Sequence, residues 1–443
     1  MAFLHPMSCE NAKSELDIFT VPPTQTSVES GSYTEYHPIS SLIDGGPIEF
    51  SVSGTGLEYI DIQNTQLYVR AQILNADGTA IGNDTEVAPA NLFLHTLFSE
   101  VDVKLNETLV TSTNNTYPYR AYLETVLSYG QDAKSSQLTA SLYYKDTAGA
   151  DSMEEKNPHA NNVVNVGMKK RHSFFNNGRI VDLVGRLHAD IFFQDKYLPS
   201  EVNVRIRLVR NKDAFCLVAT GAAAAFKVKI HEAKLFVRKV KLSPSVYLAH
   251  EKALSVGNAK YPIRRVVCKT FTIPRGNLDW NHQNLFQGQS PTRLVLACLD
   301  NDAFNGSYAK NCFNFKHYNM TSVKLYIDGQ EQNIRPITFN FAENQFIMGY
   351  MSLFAATGKQ FMDEGIDIKR EEYSGGYTIM AFDLTSDMAA NDGHFSLVKN
   401  GSLRVELTFS QALPNTINLI ALAEFENLIE IDKNRNVIFD YAT

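Results

Sequence analysis

The chain runs through one ordered series of elements twice, with little identity of residue between the two passes. In the first half a strand and tight turn at 101–108 (VDVKLNET) lead to an amphipathic helix at 118–129 that stops before Gly130. In the second half a strand and turn at 323–330 (VKLYIDGQ) lead to a helix at 345–357 that stops before Gly358. Three strand-like runs follow each helix: 180–193 is answered by 377–384, 202–210 (VNVRIRLVR) by 403–409 (LRVELTF), and 226–240 by 417–431. A series kept in this order restricts the fold to two related β-rich units in one polypeptide.

The strands carry their own signature. Leu67, Val69, Ala71 and Ile73 alternate with polar neighbours, as do Val202, Val204, Ile206 and Leu208, and Leu403, Val405, Leu407 and Phe409. A period of two with one apolar face is that of a half-buried strand. On the helices, Tyr119, Tyr122, Leu123, Val126 and Leu127 fall at helical spacing, with Pro118 at the first position and Gly130 as a left-handed cap. Phe346, Ile347, Tyr350, Leu353 and Phe354 repeat that spacing behind Asn344 as N-cap. Many short strands with few helices suit a sandwich or jelly roll, because a parallel sheet would need a helix between most strands. The expected class is all-β: a tandem, double jelly roll of two eight-stranded antiparallel sandwiches, with a few short helices in the connections.

The expected organisation is an N-terminal arm over 1–44, rich in Pro, Ser and Thr, then a first roll over 45–241. A linker with a short helix follows over 242–262, where Ser243-Pro244-Ser245 breaks the strand pattern and 246–254 reads as helical. The second roll and C-terminal segment occupy 263–443. The polar stretch at 131–177 is longer than a usual connection and reads as an exposed excursion.

Composition narrows the function. A content of 44% hydrophobic and 20% charged residues is that of an ordinary folded protein, and a net charge of −7 argues against a surface that binds nucleic acid throughout. Cys9, Cys216, Cys268, Cys298 and Cys312 are odd in number and hold no C-x-x-C pair, so reduced thiols are expected rather than disulfides or a zinc knuckle. The first residues show no basic stretch ahead of an apolar run, and no segment approaches the ~20 apolar residues of a membrane span, so a soluble protein made in the cytosol is expected.

No catalytic apparatus stands out. No two of the eleven histidines lie within four positions of each other, and an H-x-H pair of the kind that supplies metal ligands in jelly-roll enzymes is missing. His188, in GRLHADIF, reads as a satisfied or surface imidazole. Nucleophile elbow, Walker loop and dinucleotide fingerprint are missing too, and Gly54-Thr55-Gly56 reads as a turn. Asp363-Glu364 and Glu371-Glu372 read as solvated loop carboxylates. Catalytic, cofactor-binding and metal residues are therefore none, no cofactor is expected, and the chain is not expected to be an enzyme. One charged feature remains: Lys227, Lys229, Lys234, Arg238, Lys239 and Lys241 crowd a single strand region. They form either a solvated face whose lysines discourage edge aggregation or an inward patch that balances packaged DNA.

Several long stretches then resemble the double jelly-roll major capsid proteins of Polintons (Mavericks), adintoviruses and their relatives in animal genomes. They are YIDIQNTQLYV (59–69), APANLFLHTLFSEVDVKLN (88–106), YPYRAYLETVLSYG (117–130), KDTAG (145–149) and GRLHADIF (185–192) in the first unit. The second unit adds AKYPIRR (259–265), LDNDAFNGSYAKNCFNF (299–315) and EIDKNRNVIFDY (430–441). Cys312 stands where that family's N-P-F-N-F pattern has proline, which puts the local turn in question. The resemblance implies a virion coat protein of a double-stranded DNA virus. Its partner would be itself, as a trimeric pseudo-hexameric capsomer and then in trimer–trimer lattice contacts of an icosahedral shell. It further implies a single jelly-roll penton protein at the vertices and non-specific contact with packaged DNA. A carbohydrate-binding or glycan-processing double sandwich is the alternative of another class, and a host-resident copy would read the same.

Overall fold

A computed structural model describes residues 5–42, 45–54, 56–111, 113–159, 164–220, 225–331 and 337–439. Thr55 and part of the 430–441 motif lie outside them. Ten strands form the first roll: β1 Val28–Tyr36, β2 Ile48–Val52, β3 Glu58–Asn75, β4 Val87–Pro89, β5 Phe98–Leu105, β6 Thr108–Thr111, β7 Val181–Gly185, β8 Val204–Arg210, β9 Leu217–Ala219 and β10 Phe226–Leu242. The second holds β11 Ala259–Ile273, β12 Asp279–Phe286, β13 Arg293–Asp300, β14 Met320–Ile327, β15 Gln330–Glu331, β16 Ile337–Thr338, β17 Ile379–Asp383, β18 Leu403–Phe409, β19 Ile417–Ile431 and β20 Val437–Phe439.

The sheets run β1-β10-β3-β7 and β2-β8-β5-β6 in the first roll, and β11-β19-β13-β17 and β12-β18-β14-β15 in the second. Substituting each strand by its successor in the repeat turns one pair of orders into the other. The duplication read from the sequence is therefore a duplication of topology, and both halves are jelly rolls. β16 and β20 add to β14 and β19, and β4 pairs with β9 as a small ribbon.

Each roll closes on its alternating residues. Leu67, Val69, Ala71 and Ile73 of β3 are fully buried and face Phe50 and Val52 of β2, Val101, Val103 and Leu105 of β5, and Val204, Ile206 and Leu208 of β8. Burying such side chains contributes roughly 1.5–3 kcal/mol each before chain entropy is counted. The core is continuous from one roll into the other.

The helix expected over 118–129 runs Tyr117–Ser128, and the one expected over 246–254 runs Pro244–Leu254 with the proline in its first turn. Gly130 is extended instead of left-handed (φ −81°, ψ −179°), because the chain turns at once into another short helix and Gly130 starts it, its carbonyl accepting from Lys134 N. Gly358 does take the left-handed cap conformation, at φ +67°. Asn344 is not the N-cap of the second helix. That helix spans Ile347–Ala356 behind Phe346, and Asn344 ends the preceding turn in the left-handed region.

Two further expectations fail for physical reasons. Within the 1–44 arm, Val28–Tyr36 is a strand, paired with β10 from Val28↔Leu242 to Tyr36↔Leu235. It is an edge strand held by backbone hydrogen bonds with five successive exposed residues, so it lacks the apolar alternation that marks a strand in sequence. The 131–177 stretch is not an exposed excursion. It folds into short helices, and its Asp146, Met153, Asn165, Met168 and Arg171 are buried. Arg171 Nη2 lies 2.7 Å from Asp146 Oδ1 and its Nε donates to Pro89 O at 2.9 Å, while Asn165 Nδ2 donates to Asp146 Oδ1 at 2.9 Å. Its polar residues thus satisfy one another in the interior, which composition alone reads as solvent exposure.

Arg171→Met is expected to cost about 3–5 kcal/mol, because it leaves the Asp146 carboxylate buried without its cation. The double variant Arg171→Met/Asp146→Asn is expected to lose less than the sum of the two single changes, as measured by denaturant unfolding.

Candidate functional site

The feature most able to carry function is the seam where the first roll meets the second. The Tyr117–Ser128 helix, between β6 and β7, packs on β11 and shares a small cleft with Arg293 of β13 and Glu424 of β19, and ten of its twelve residues are buried. Tyr122 stacks on Phe313 with centroids 3.9 Å apart and planes 3° from parallel, and Tyr119 stacks on Phe304 at 5.5 Å while meeting Phe313 edge-on. Offset and edge-on aromatic pairs add roughly 0.5–1.5 kcal/mol each beyond the area they bury. Phe313 follows Cys312, and the turn questioned there forms: Asn314 N donates to Asn311 O, Phe313 N to Asn311 Oδ1, and the thiol is buried.

A polar chain runs beneath this aromatic layer. Arg120 Nε sits 2.9 Å from Glu124 Oε1 and its Nη2 2.7 Å from Asp190 Oδ1. His188 Nδ1 is 2.6 Å from Glu124 Oε2. Asp190 also accepts from Thr111 Oγ1 at 3.2 Å and from Val266 N of β11 at 3.1 Å, so one carboxylate ties a hairpin, a helix and the second roll together. His95 Nδ1 lies 2.8 Å from the Tyr117 hydroxyl, and its ring meets His188 edge-on at 4.7 Å. Burial by itself would raise the Glu124 carboxyl, but Arg120 and His188 hold it below its usual range. Burial, reinforced by His188, pushes His95 well below its usual value, so that ring stays neutral.

The 131–177 stretch reinforces the seam from another side. Lys134 Nζ donates to Val126 O at 2.8 Å in the first roll's helix and to Ile366 O at 2.6 Å in the second roll. Lys145 Nζ pairs with Glu372 at 2.6 Å, Tyr377 donates its hydroxyl to Asp146 O, and Gly149 N donates to Gly375 O. Glu154 accepts from Asn314 Nδ2 at 2.7 Å and pairs with Lys316.

A cleft of about 720 Å³ opens along the seam, lined by Arg120, Glu124, His188, Arg264 and Glu424 with Phe193 and Phe395 at hand. Several of its charges are matched: Arg293 bonds both oxygens of Glu424, Arg264 donates to Asp392 O, and Glu124 is held from both sides. The Glu124 carboxylate and the His188 imidazole so engaged tie the helix to the 185–192 segment. Among the described residues no cluster of three or more His, Cys, Asp or Glu could hold a metal, and no helix is long and apolar enough to cross a membrane.

The residues singled out in the sequence fall as follows. His188 is buried in the seam and bonded to Glu124. Asp363 and Glu364 are exposed, whereas Glu372 caps Lys369 N and binds Lys145. Gly54 lets two chain segments approach, since a Cβ there would lie 2.6 Å from Val202 O. Cys9 is exposed and the other four thiols are buried or half-buried, Cys268 and Cys298 being pushed up to about 12 by burial. The basic run lies along β10, where Lys234 pairs with Glu35 and Glu232, Arg238 with Asp61, Lys239 with Glu58 and Lys241 with Glu29. Sequence reading missed Arg120, Glu124 and Asp190. The available signal was an Arg and a Glu four apart on a helix otherwise carrying aromatic and aliphatic residues.

Because folded His95 is neutral while the unfolded ring titrates near 6.5, the unfolded state binds a proton below that pH that the folded state does not. His172, lowered by burial, acts in the same direction. Stability is therefore expected to fall as pH drops from about 7 to about 5, by up to roughly 1.4 kcal/mol per pH unit for each such histidine. His95→Gln is expected to flatten that slope in thermal melts recorded across the range.

No known family profile matches the chain. An uncharacterized protein of Caenorhabditis elegans is 26% identical over 435 residues, spanning 95% of this chain and 99% of that protein. Among solved structures, the chain is similar to a protein of the Sputnik virophage (TM-score 0.67, 11% identity, 99% of this chain and 94% of that one). It is also similar to the capsid of the virus PBCV-1 (TM-score 0.57, 12% identity, 96% and 100%) and to the mavirus major capsid protein (TM-score 0.52, 11% identity, 99% and 95%). At such identities the likeness is one of fold, and it extends from end to end: the chain has the double jelly-roll fold found in viral major capsid proteins.

Proposed function

We propose that this chain is the major capsid protein of a Polinton- or adintovirus-like double-stranded DNA virus, three copies of which form a pseudo-hexameric capsomer that tiles an icosahedral shell. The observation that carries this reading is the pair of rolls with one strand order, joined through a buried seam, in a chain that follows viral coat proteins over nearly its whole length. Two equivalent rolls per chain give a trimer six similar sides, the outline a hexagonal lattice requires. A relative in an animal, similar over nearly all of both chains, supports a lineage carried in animal genomes.

On this reading the protein's partners are other copies of itself, with a single jelly-roll protein at the vertices, and its place is the virion after synthesis in the host cytosol. Its work is assembly and not turnover. Contact with packaged DNA is not assigned to Lys234, Arg238, Lys239 and Lys241, which already have acidic partners on the same sheet.

Light scattering on the purified full chain is expected to give a mass three times the 49.6 kDa of one copy, and electron microscopy to show particles of hexagonal outline or closed shells. A monomer that persists at high concentration would overturn the proposal.

A further inference from the structure

The two rolls have the same strand order, yet only one of two equivalent surfaces is covered. The Tyr117–Ser128 helix is almost wholly buried, between β5 of its own roll on one side and β11 and the Arg293–Glu424 pair of the second roll on another. Its counterpart Ile347–Ala356, at the same place in the second roll's order, reads IMGYMSLFAA without a charged residue, but only Gly349, Leu353 and Ala356 are buried. One side of it rests on β17. Another opens onto a groove of about 560 Å³ lined by Met348, Met351, Ala355 and Met388. An uncharged helix left this open is unusual for a finished surface.

The receiving surfaces show the same asymmetry. β19, whose Leu422 and Glu424 line a small cleft with the first roll's helix, has nine successive buried residues from Ile417 to Phe425. β10 occupies the same position in the first roll, and its residues alternate between buried and open. A registered ion pair marks the two faces as equivalent. In the second roll Arg293 of β13 stands directly opposite Glu424 of β19, with side chains 11% and 12% exposed beneath the helix. In the first roll Arg70 of β3 stands directly opposite Glu232 of β10, with side chains 43% and 31% exposed. Tyr68 and Phe236 share that open face, ring edge to ring face at 6.0 Å.

We infer that the Ile347–Ala356 helix of one copy docks on the outer face of the β1-β10-β3-β7 sheet of a second copy, as the Tyr117–Ser128 helix docks on the β11-β19-β13-β17 sheet within the chain. This rests on the trimer reading and names the surface that makes the trimer. The contact is heterologous, joining unlike faces of the two copies, so it propagates head to tail and ends only where the ring closes. Closure at three copies alternates seams inside chains with seams between them. The basic run thereby acquires a role. Lys234 and Arg238, neutralised by Glu35, Glu232 and Asp61, form with Arg70 the polar part of a subunit joint, as Arg293 and Glu424 do inside the chain.

A photo-crosslinking residue placed at Met351 of the full chain, in a mixture of isotopically light and heavy protein, tests this directly. Adducts joining a light copy to a heavy one at Tyr68, Lys234 or Phe236 are expected. Met351→Glu and Tyr68→Ala, each checked for an unchanged circular dichroism spectrum, are expected to raise the concentration at which trimers dissociate by tenfold or more. Should either variant fail to fold, the crosslink decides alone, since its probe replaces a half-buried side chain at the groove. Trimers whose adducts fall elsewhere would overturn this surface and leave the trimer reading intact. A chain that never forms trimers would remove both.

Discussion

Everything in this structure depends on one helix facing two ways. The Tyr117–Ser128 helix belongs by connectivity to the first roll, and its aromatic side serves the second: Tyr119 and Tyr122 lie against Phe304 and Phe313. Arg120, on the same helix, reaches Asp190, which in turn takes the backbone of β11 through Val266. Shape and hydrophobic burial thus press the two rolls together, while the hydrogen-bonded charges fix which residues meet. A misplaced seam would take the Asp190 acceptor away from Val266 N and leave that buried donor unpaired, a penalty of about 1–3 kcal/mol that disfavours neighbouring registers.

The repetitive part of this architecture was open to reading from sequence. Apolar alternation marked β3, β8 and β18, helical spacing marked both helices, and their order disclosed the duplication before any contact was known. The resemblance to capsid proteins pointed to the fold that the strand orders and solved structures bear out. What stayed hidden was non-local. Asp146, Asn165 and Arg171 look solvated in one dimension because their partners arrive from 19 to 82 residues away. β1 was lost because an edge strand depends on backbone pairing, to which side-chain pattern is blind. The Arg120–Asp190 network was lost because charged residues are ordinarily assigned to water.

The same comparison separates what the fold shares from what each roll has specialised. Strand order is common to both, yet nine successive residues of β19 are buried where β10 keeps lysines, arginine and glutamate open on one face. A sheet face covered from the moment the chain folds needs few polar groups, and β19 keeps Asn418 and the Glu424 that pairs with Arg293. A face that must remain soluble until another molecule arrives has to keep them, and pairing them across adjacent strands lowers the cost of later drying that surface.

The thiols have a consequence for durability. With Cys216, Cys298 and Cys312 enclosed, Cys268 half-enclosed, and their protons held tightly by the apolar surroundings, thiolate chemistry is suppressed at four of the five positions. Within the chain the five cysteines are free, so the fold is held by burial and hydrogen bonding and not by disulfides. A fold held this way gains nothing from oxidation and loses nothing to a reductant.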